Sequence, residues 1–190
     1  VGAVNDAPEA VADDYTVDED QGLSVAAPAG VLANDNDPEG DGLTAVLVQD
    51  VANGVLSLNA DGSFSYTPSA DFNGTDSFTY RADDGQGGQS AETTVTITVA
   101  PVNDPPVAGA DGGPDFATSE DTGFTTGSVL LNDTDAEDDT LSVTGSDATS
   151  AAGGTVVSNG DGTFDYTPPA GFSGSDSFGY TVSEGNGRTA

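Results

Sequence analysis

Residues 55–68 read VLSLNADGSFSYTP. Leu56 and Leu58 alternate with polar or small neighbours, Asp61-Gly62 interrupts them, and Phe64 and Tyr66 resume the alternation. Asp-Gly between two alternating runs is the strongest short-range hairpin signal, because turns that match strand twist need a positive φ. The stretch predicts two antiparallel strands sharing one apolar face. DGSFSYTP at 61–68 returns as DGTFDYTP at 161–168, so whatever fold this hairpin belongs to is built twice.

The rest of the chain repeats with it. VNDAP at 4–8 recurs as VNDPP at 102–106, an offset of 102 − 4 = 98. NDND at 34–37 recurs as NDTD at 132–135, again 98, and FNGTDSFTY at 72–80 recurs as FSGSDSFGY at 172–180, an offset of 100. Two copies of one unit are expected, over 1–101 and 102–190, with a linker at about 101–106.

Each copy reads as β. TVTITV at 94–99 and SFTYRA at 77–82 alternate strictly, and YTV at 15–17 and LTAVLV at 43–48 supply further short strands. No segment shows a 3.6-residue apolar period. About seven short strands per copy predict an all-β chain of two tandem Greek-key β-sandwich domains of immunoglobulin-like type. The second copy lacks its last strand, since nothing after Arg188 corresponds to TVTITV. Continuation of the chain or a strand donated by a neighbour, as in a strand-exchanging filament subunit, would each supply one. The chain opens on Val1 rather than Met, which reads as an internal fragment.

Charge narrows the partners. The 190 residues carry 33 acids against two basic side chains, Arg81 and Arg188, for a formal charge of −31. Phosphate contacts need a basic surface, so nucleic acid is excluded as a partner. No apolar run of membrane-spanning length is present, so no membrane insertion is expected. Cys, His, Met and Trp are absent, which excludes disulfides, thiol redox chemistry and Cys/His zinc sites. Composition alone also fits a disordered chain, and the strand patterning argues against that.

Acids crowd at recurrent positions. NDNDPEGDG at 34–42 puts Asp35, Asp37, Glu39 and Asp41 on alternate residues. Ca²⁺ takes six to eight oxygen ligands, which carboxylates, Asn amides and backbone carbonyls supply. The stretch follows an EF-hand loop as far as Asp41, but Val46 stands where the bidentate Glu belongs and a strand follows. An oxygen-rich Ca²⁺ loop is retained and an EF-hand is rejected. Glu19-Asp20 recurs as Glu120-Asp121, Asn5-Asp6 as Asn103-Asp104, Asp76 as Asp176, and Asp83-Asp84-Gly85 as Ser183-Glu184-Gly185.

With VNDAP, GVLANDNDPEGDGLT, NGVLSLNADGSFSYTPSADFNGTDSFTY and RADDGQGG in this order, the chain resembles the tandem cadherin-like (VCBS-type) repeats of large bacterial surface adhesins. The resemblance covers essentially the whole chain. It implies Ca²⁺ bound between consecutive domains, at the base of one, the linker, and the top of the next. It implies Glu19, Asp20 and Asp76 as base ligands, Asn103 and Asp104 as linker ligands, and Asp133, Asp135, Asp139 and Glu184 as top ligands. By the same resemblance Asn5, Asp6, Asp35, Asp37, Asp41 and Asp83 form a half-site for a preceding domain, and Glu120 and Asp176 one for a following domain. The Asp-Arg-Glu motif of cadherins has no clear counterpart, with Asp76 or Asp71 as substitutes.

The function expected is a Ca²⁺-rigidified spacer, secreted and displayed on a bacterial surface, whose partners are adjacent repeats of the same chain. The alternative is a module binding carbohydrate or another cell-surface ligand, which would show exposed aromatics. Glycans would otherwise be met through other domains of the same protein. An enzyme is not expected: paired carboxylates can hydrolyse glycosides, but the acids recur in both copies, as suits a structural unit.

Overall fold

A computed structural model describes residues 4–190 and divides the chain into two compact units, Val1–Val102 and Asn103–Ala190. Val1, at which the first expected domain begins, lies outside the described residues.

In the first unit the alternating segments become seven strands in two sheets. One sheet orders β1 (Asp13–Asp18), β7 (Thr93–Ala100), β6 (Gly74–Asp83) and β3 (Thr44–Gln49) side by side. The other orders β2 (Leu23–Val25), β5 (Phe64–Pro68) and β4 (Gly54–Leu58). β1 runs parallel to β7, while the remaining neighbours are antiparallel. The period of two puts Val95, Ile97 and Val99 of β7 on the same side as Phe78 and Tyr80 of β6. Phe64 and Tyr66 of β5 close the core from the opposite sheet. Phe64 meets Phe78 edge-on, with ring centroids 5.5 Å apart, so the two sheets are pinned by aromatic packing.

The hairpin that decides the fold has a three-residue loop. Asn59 N–H donates to the Ser63 carbonyl (2.8 Å), and only Gly62, at φ +83°, is left-handed. Asp61 Oδ1 accepts from the Ser63 N–H (3.0 Å) and hydroxyl (2.6 Å), and Asp161 does the same with Thr163. These hydrogen bonds hold both turn carboxylates below their usual range.

The second unit keeps the hairpin and half of the other sheet. β8 (Phe124–Thr125), β11 (Phe164–Thr167) and β10 (Thr155–Ser158) repeat the three-stranded sheet. β12 (Tyr180–Ser183) pairs with β9 (Ser142–Ser146), and no further strand joins them among the described residues. At the place of β1 the second unit has a 3-10 turn, Pro114–Phe116, preceded by Gly112 and Gly113, which suit a strand poorly; the ladder partner that β1 has in β7 is also without a counterpart among the described residues.

One carboxylate organises the base of each sandwich, buried in the first unit and half-buried in the second. Asp76 accepts from the N–H groups of Ala52 (3.0 Å) and Asn53 (2.8 Å) and from the Tyr66 hydroxyl (3.1 Å). Asp176 repeats this with the Ala152 N–H, the Tyr166 hydroxyl and the Ser150 hydroxyl. Burial alone would raise Asp176, but the Ser150 and Tyr166 hydroxyls and the Ala152 and Ser177 N–H groups hold it at about 2.

A depressed folded-state value stabilises the fold above the unfolded carboxylate range and is lost as pH falls toward 2. Asp76→Ala strands the backbone donors of Ala52, Asn53 and Ser77 and a tyrosine hydroxyl, and should cost about 2–4 kcal/mol. Urea unfolding at neutral pH should show this loss, and the gap to wild type should narrow on acidification as the wild-type carboxylate protonates.

Candidate metal centre

The loop after the short turn at Ala27–Ala29 folds around Asp37, which is 7% exposed. Asp37 Oδ1 accepts from the N–H groups of Glu39 (3.0 Å) and Asp41 (3.1 Å), curling the loop around one oxygen. Gly40 supplies the positive φ of +77° that the curl needs. In the second unit Asp135 Oδ1 accepts from Glu137 (3.2 Å) and Asp139 (3.0 Å). Asp138 takes Gly40's place there at φ +59°, a conformation Asp tolerates better than most residues.

The N-terminal segment of each unit lies on this loop. Asp6 N–H donates to Glu39 Oε2 (3.1 Å), as Asp104 N–H does to Glu137 Oε2 (3.2 Å). Asn5 Nδ2 donates to Asp84 Oδ2 (2.8 Å), and Asn103 Nδ2 to Glu184 Oε1 (2.5 Å). Asp84 and Glu184 directly follow β6 and β12 and are 3% and 5% exposed. The Asn5 amide, helped by the Gln86 and Gly88 N–H groups, holds Asp84 below its usual range. Gly88 backs so closely onto Asp84 that an added Cβ would sit 2.3 Å from Oδ2.

In the second unit Asp135, Asp139 and Glu184 each bring a carboxylate oxygen within 4.8 Å of the others. Asn186 Nδ2 donates to Asp139 Oδ2 (2.8 Å) at the rim. Asp135 Oδ2 and Glu184 Oε2 are buried with no hydrogen-bond partner, and so is Asp37 Oδ2 in the first unit. Like charges this close cost about 3–4 kcal/mol per pair at an effective dielectric of about 20. A carboxylate oxygen buried without a donor adds its own desolvation cost. An oxygen-seeking divalent cation removes both costs, and a 4.8 Å spread matches ligands about 2.3–2.6 Å from a shared Ca²⁺. The residues present therefore fit the ion.

The structure sorts the sequence-predicted residues into three groups. In the first unit hydrogen bonds join Asn5 to Asp84, the Asp6 N–H to Glu39 and the Asp41 N–H to Asp37, and Asn103, Asp104, Asp135, Asp139 and Glu184 come together within the second. Glu19 lies at the far end of the first unit, where the register pairs Gly74 with Val99. It is 1% exposed, and its carboxylate accepts from the Val102 N–H (2.6 Å) and Asn73 Nδ2 (3.3 Å). Asp20 and Glu120 are exposed.

The remaining residues serve the fold. Asp76 and Asp176 are saturated with donors from their own unit and have no free side for an ion. Asp83 caps its turn through the Gly85 N–H (2.9 Å) and Gln89 Nε2 (2.8 Å), while its neighbour Asp84 turns inward. Asp35 accepts from the Val11 N–H (2.8 Å), and the Tyr80 hydroxyl lies 2.9 Å from its Oδ2. Asp133 accepts from the Gly109 N–H (2.8 Å). Glu39 and Asp84 join the clusters, the first already singled out in NDNDPEGDG and the second by its alignment with Glu184, whereas no motif pointed to Glu137 or Asn186.

Asp35 belongs instead to a second acidic pair. Asp13 is held by Asn34 Nδ2 (3.1 Å), and its Oδ2 is buried without a partner. Burial, with the nearby Asp35 charge, pushes Asp13 up to about 6. The second unit rebuilds the pair with Asp111, whose Oδ2 lies 2.8 Å from the Tyr180 hydroxyl. Burial raises Asp35 and Asp111 as well.

Comparison with known proteins follows this division. Residues 5–101, more than half the chain, match the family model of the bacterial cadherin-like domain, and residues 103–190 match that of the bacterial Ig domain. No curated protein matches the chain. Two crystal forms of human protocadherin-24 EC1-2 superpose with TM-scores of 0.53 and 0.55 at 17% and 16% identity. They cover 94% and 93% of this chain and 86% of theirs, a likeness of fold alone. An endo-fucoidan hydrolase of glycoside hydrolase family 107 aligns at 22% identity over 98% of this chain, with a TM-score of 0.39. The chain spans only 28% of that enzyme's length. Among the described residues no helix is long and apolar enough to cross a membrane.

The raised value of Asp13 gives a signed pH test. A carboxyl raised in the folded state favours folding while protonated, and that contribution fades as pH rises from about 4 to about 6. Asp13→Asn keeps the acceptor for Asn34 and removes the charge. In EDTA it should melt above wild type at pH 7, with the difference shrinking toward zero at pH 4. An equal offset at both pH values would show that the charge is not the cause.

Proposed function

Because this chain belongs to the bacterial cadherin-like domain family, we propose that it is a Ca²⁺-stiffened extracellular spacer, one stretch of a repeat array that holds an adhesive surface protein away from the cell. The observation that carries this reading is the pair of buried, partnerless carboxylate oxygens on Asp135 and Glu184 beside Asp139. They lie where the linker residues Asn103 and Asp104 are already fastened.

In the second unit Asp135, Asp139 and Glu184 would hold the ion, with Asn103 and Asp104 beside them. In the first, Asp37, Asp41 and Asp84 would play the same part with Asn5 and Asp6. The ion supplies the positive charge that a chain with 33 acids and two basic residues lacks. Val102 is tied to Glu19 within the first unit and Asn103 to Glu184 within the second. Pro105 and Pro106 restrict φ further along. Fixing the acid loop with Ca²⁺ thus turns the linker from a hinge into a continuation of the fold.

Two observations favour this over a sugar-binding module or a hydrolase. Phe64, Tyr66, Phe78 and Tyr80 are at most 2% exposed, so the first unit spends these rings on its core and not on stacking platforms. The acids recur at equivalent places in both units, as a repeated joint requires and a single active site does not.

Calorimetric titration of the EDTA-stripped chain should show Ca²⁺ binding in the range of extracellular modules, roughly 0.1–1 mM. Asp135→Asn should weaken the second-unit site about tenfold, yet raise the melting temperature in EDTA by relieving repulsion. Small-angle scattering should give a longer, narrower particle in Ca²⁺ than in EDTA. An unchanged maximum dimension would sink the stiffening role while leaving binding intact.

A further inference from the structure

The two units fill the loop that carries Asp84 or Glu184 in different ways. In the first, Asp84 gathers the N–H groups of Gln86, Gly87 and Gly88 onto its carboxylate. In the second, Glu184 takes none of the loop's N–H groups among the described residues. Its Oε1 faces Asn103 Nδ2, and its Oε2 is buried without a partner. The loop is nevertheless closed at its neck, where Val182 and Ala190 exchange both backbone hydrogen bonds (3.1 Å each). Gly187 lies within it at φ +98°, and nothing stands within 4 Å of where a Cβ would sit. Among the described residues the Gly187 N–H has no acceptor.

The residue before this free N–H is Asn186, which is exposed. In an Asn-Gly pair the backbone nitrogen of the glycine readily attacks the side-chain amide. No Cβ shields that nitrogen, and glycine turns freely into the reactive geometry. The ring that forms has five members. Gln86 holds the same place in the first unit, where its extra methylene would demand a six-membered ring. The N–H that follows it is already bound to Asp84. The other three Asn-Gly pairs of the chain are also held. Gly54 and Gly74 are paired within β4 and β6, and the Gly160 N–H donates to Ser158 Oγ (3.3 Å).

We propose that Asn186-Gly187 is a deamidation site that retunes the cation cluster beside it, which rests on the reading that Asp135, Asp139 and Glu184 hold the ion. The Gly187 nitrogen attacks Asn186 Cγ. The N–Cγ bond forms, the Cγ–Nδ2 bond breaks, and Nδ2 leaves as ammonia carrying the Gly187 proton. Water then opens the succinimide at either carbonyl, leaving aspartate or isoaspartate. One water enters and one ammonia leaves, with no oxidant or reductant. Two contacts hold the side chain back: Asn186 Nδ2 donates to Asp139 Oδ2 (2.8 Å) and lies 3.5 Å from Asn103 Oδ1. Both are exposed, so water competes for them and they open repeatedly. Conversion exchanges a donor facing Asp139 for another carboxylate. Without an ion the two repel, whereas around Ca²⁺ the added anionic oxygen raises the ligand charge that sets affinity.

The test holds the full 190-residue chain in EDTA at mildly alkaline pH, which favours ionisation of the attacking nitrogen, and maps it by mass after cleavage at glutamate. The segment after Glu184 should gain one mass unit and split into two products before any other segment changes. In Asn186→Gln that segment should gain nothing. Asn186→Asp should bind Ca²⁺ about tenfold more tightly at the second-unit site than unaged wild type, and melt lower in EDTA. The proposal is overturned by an unchanged mass, by another Asn-Gly pair converting first, or by equal affinity of Asn186→Asp and wild type. The mass map does not depend on an ion. A chain that gains the mass unit while neither form binds Ca²⁺ would therefore sink the metal reading and the retuning with it, and leave the modification standing.

Discussion

Carboxylates in this protein have almost no cations to face, and that shortage shapes every buried acid. Thirty-three acidic side chains share two arginines, so a buried carboxylate must be met by N–H and O–H donors or by something brought from outside. Asp76 and Asp176 take the first course, each collecting backbone amides and a tyrosine hydroxyl from three separate segments. Asp37, Asp135 and Glu184 take it only halfway. One oxygen is used to shape the loop or fasten the linker, and the other is left bare. The half-satisfied acids gather at the N-terminal end of each unit, where the linker enters. The fully satisfied ones sit at the opposite end and hold the sandwich together.

Strand alternation and the Asp-Gly hairpin were legible because they are local: a period of two and one left-handed glycine specify them. The acid loop was legible in outline for the same reason. Its internal assignment was not. Asp35 and Asp37 look equivalent in NDND, but Asp35 is turned into the fold by Tyr80, which lies 45 residues away. No local pattern carries a contact of that range. Asp84 could have been read correctly. Phe78, Tyr80 and Ala82 face inward, and continuing the period of two puts Asp84 inside and Asp83 outside.

The acid pair Asp13–Asp35 shows what such a chain tolerates in place of a cation. Burial raises both carboxyls, so a proton can occupy the site that no arginine fills. Its recurrence as Asp111 and Asp133, with Asn34 matched by Asn132 and Tyr80 by Tyr180, makes it part of the repeated unit. A tyrosine hydroxyl reaching the acid pair ties the inner sheet to the loop that carries Asp37 or Asp135. The metal loop is thus anchored by groups that are not themselves ligands.

Why the second unit keeps its acid cluster without a described counterpart of β7 follows from where that cluster hangs. Asp139 precedes β9 and Glu184 follows β12, and these two strands pair with each other. Asn103 and Asp104 reach the loop through Glu184 and Glu137, again without help from such a strand. Phe178 can therefore stay half-buried while the carboxylates remain in place.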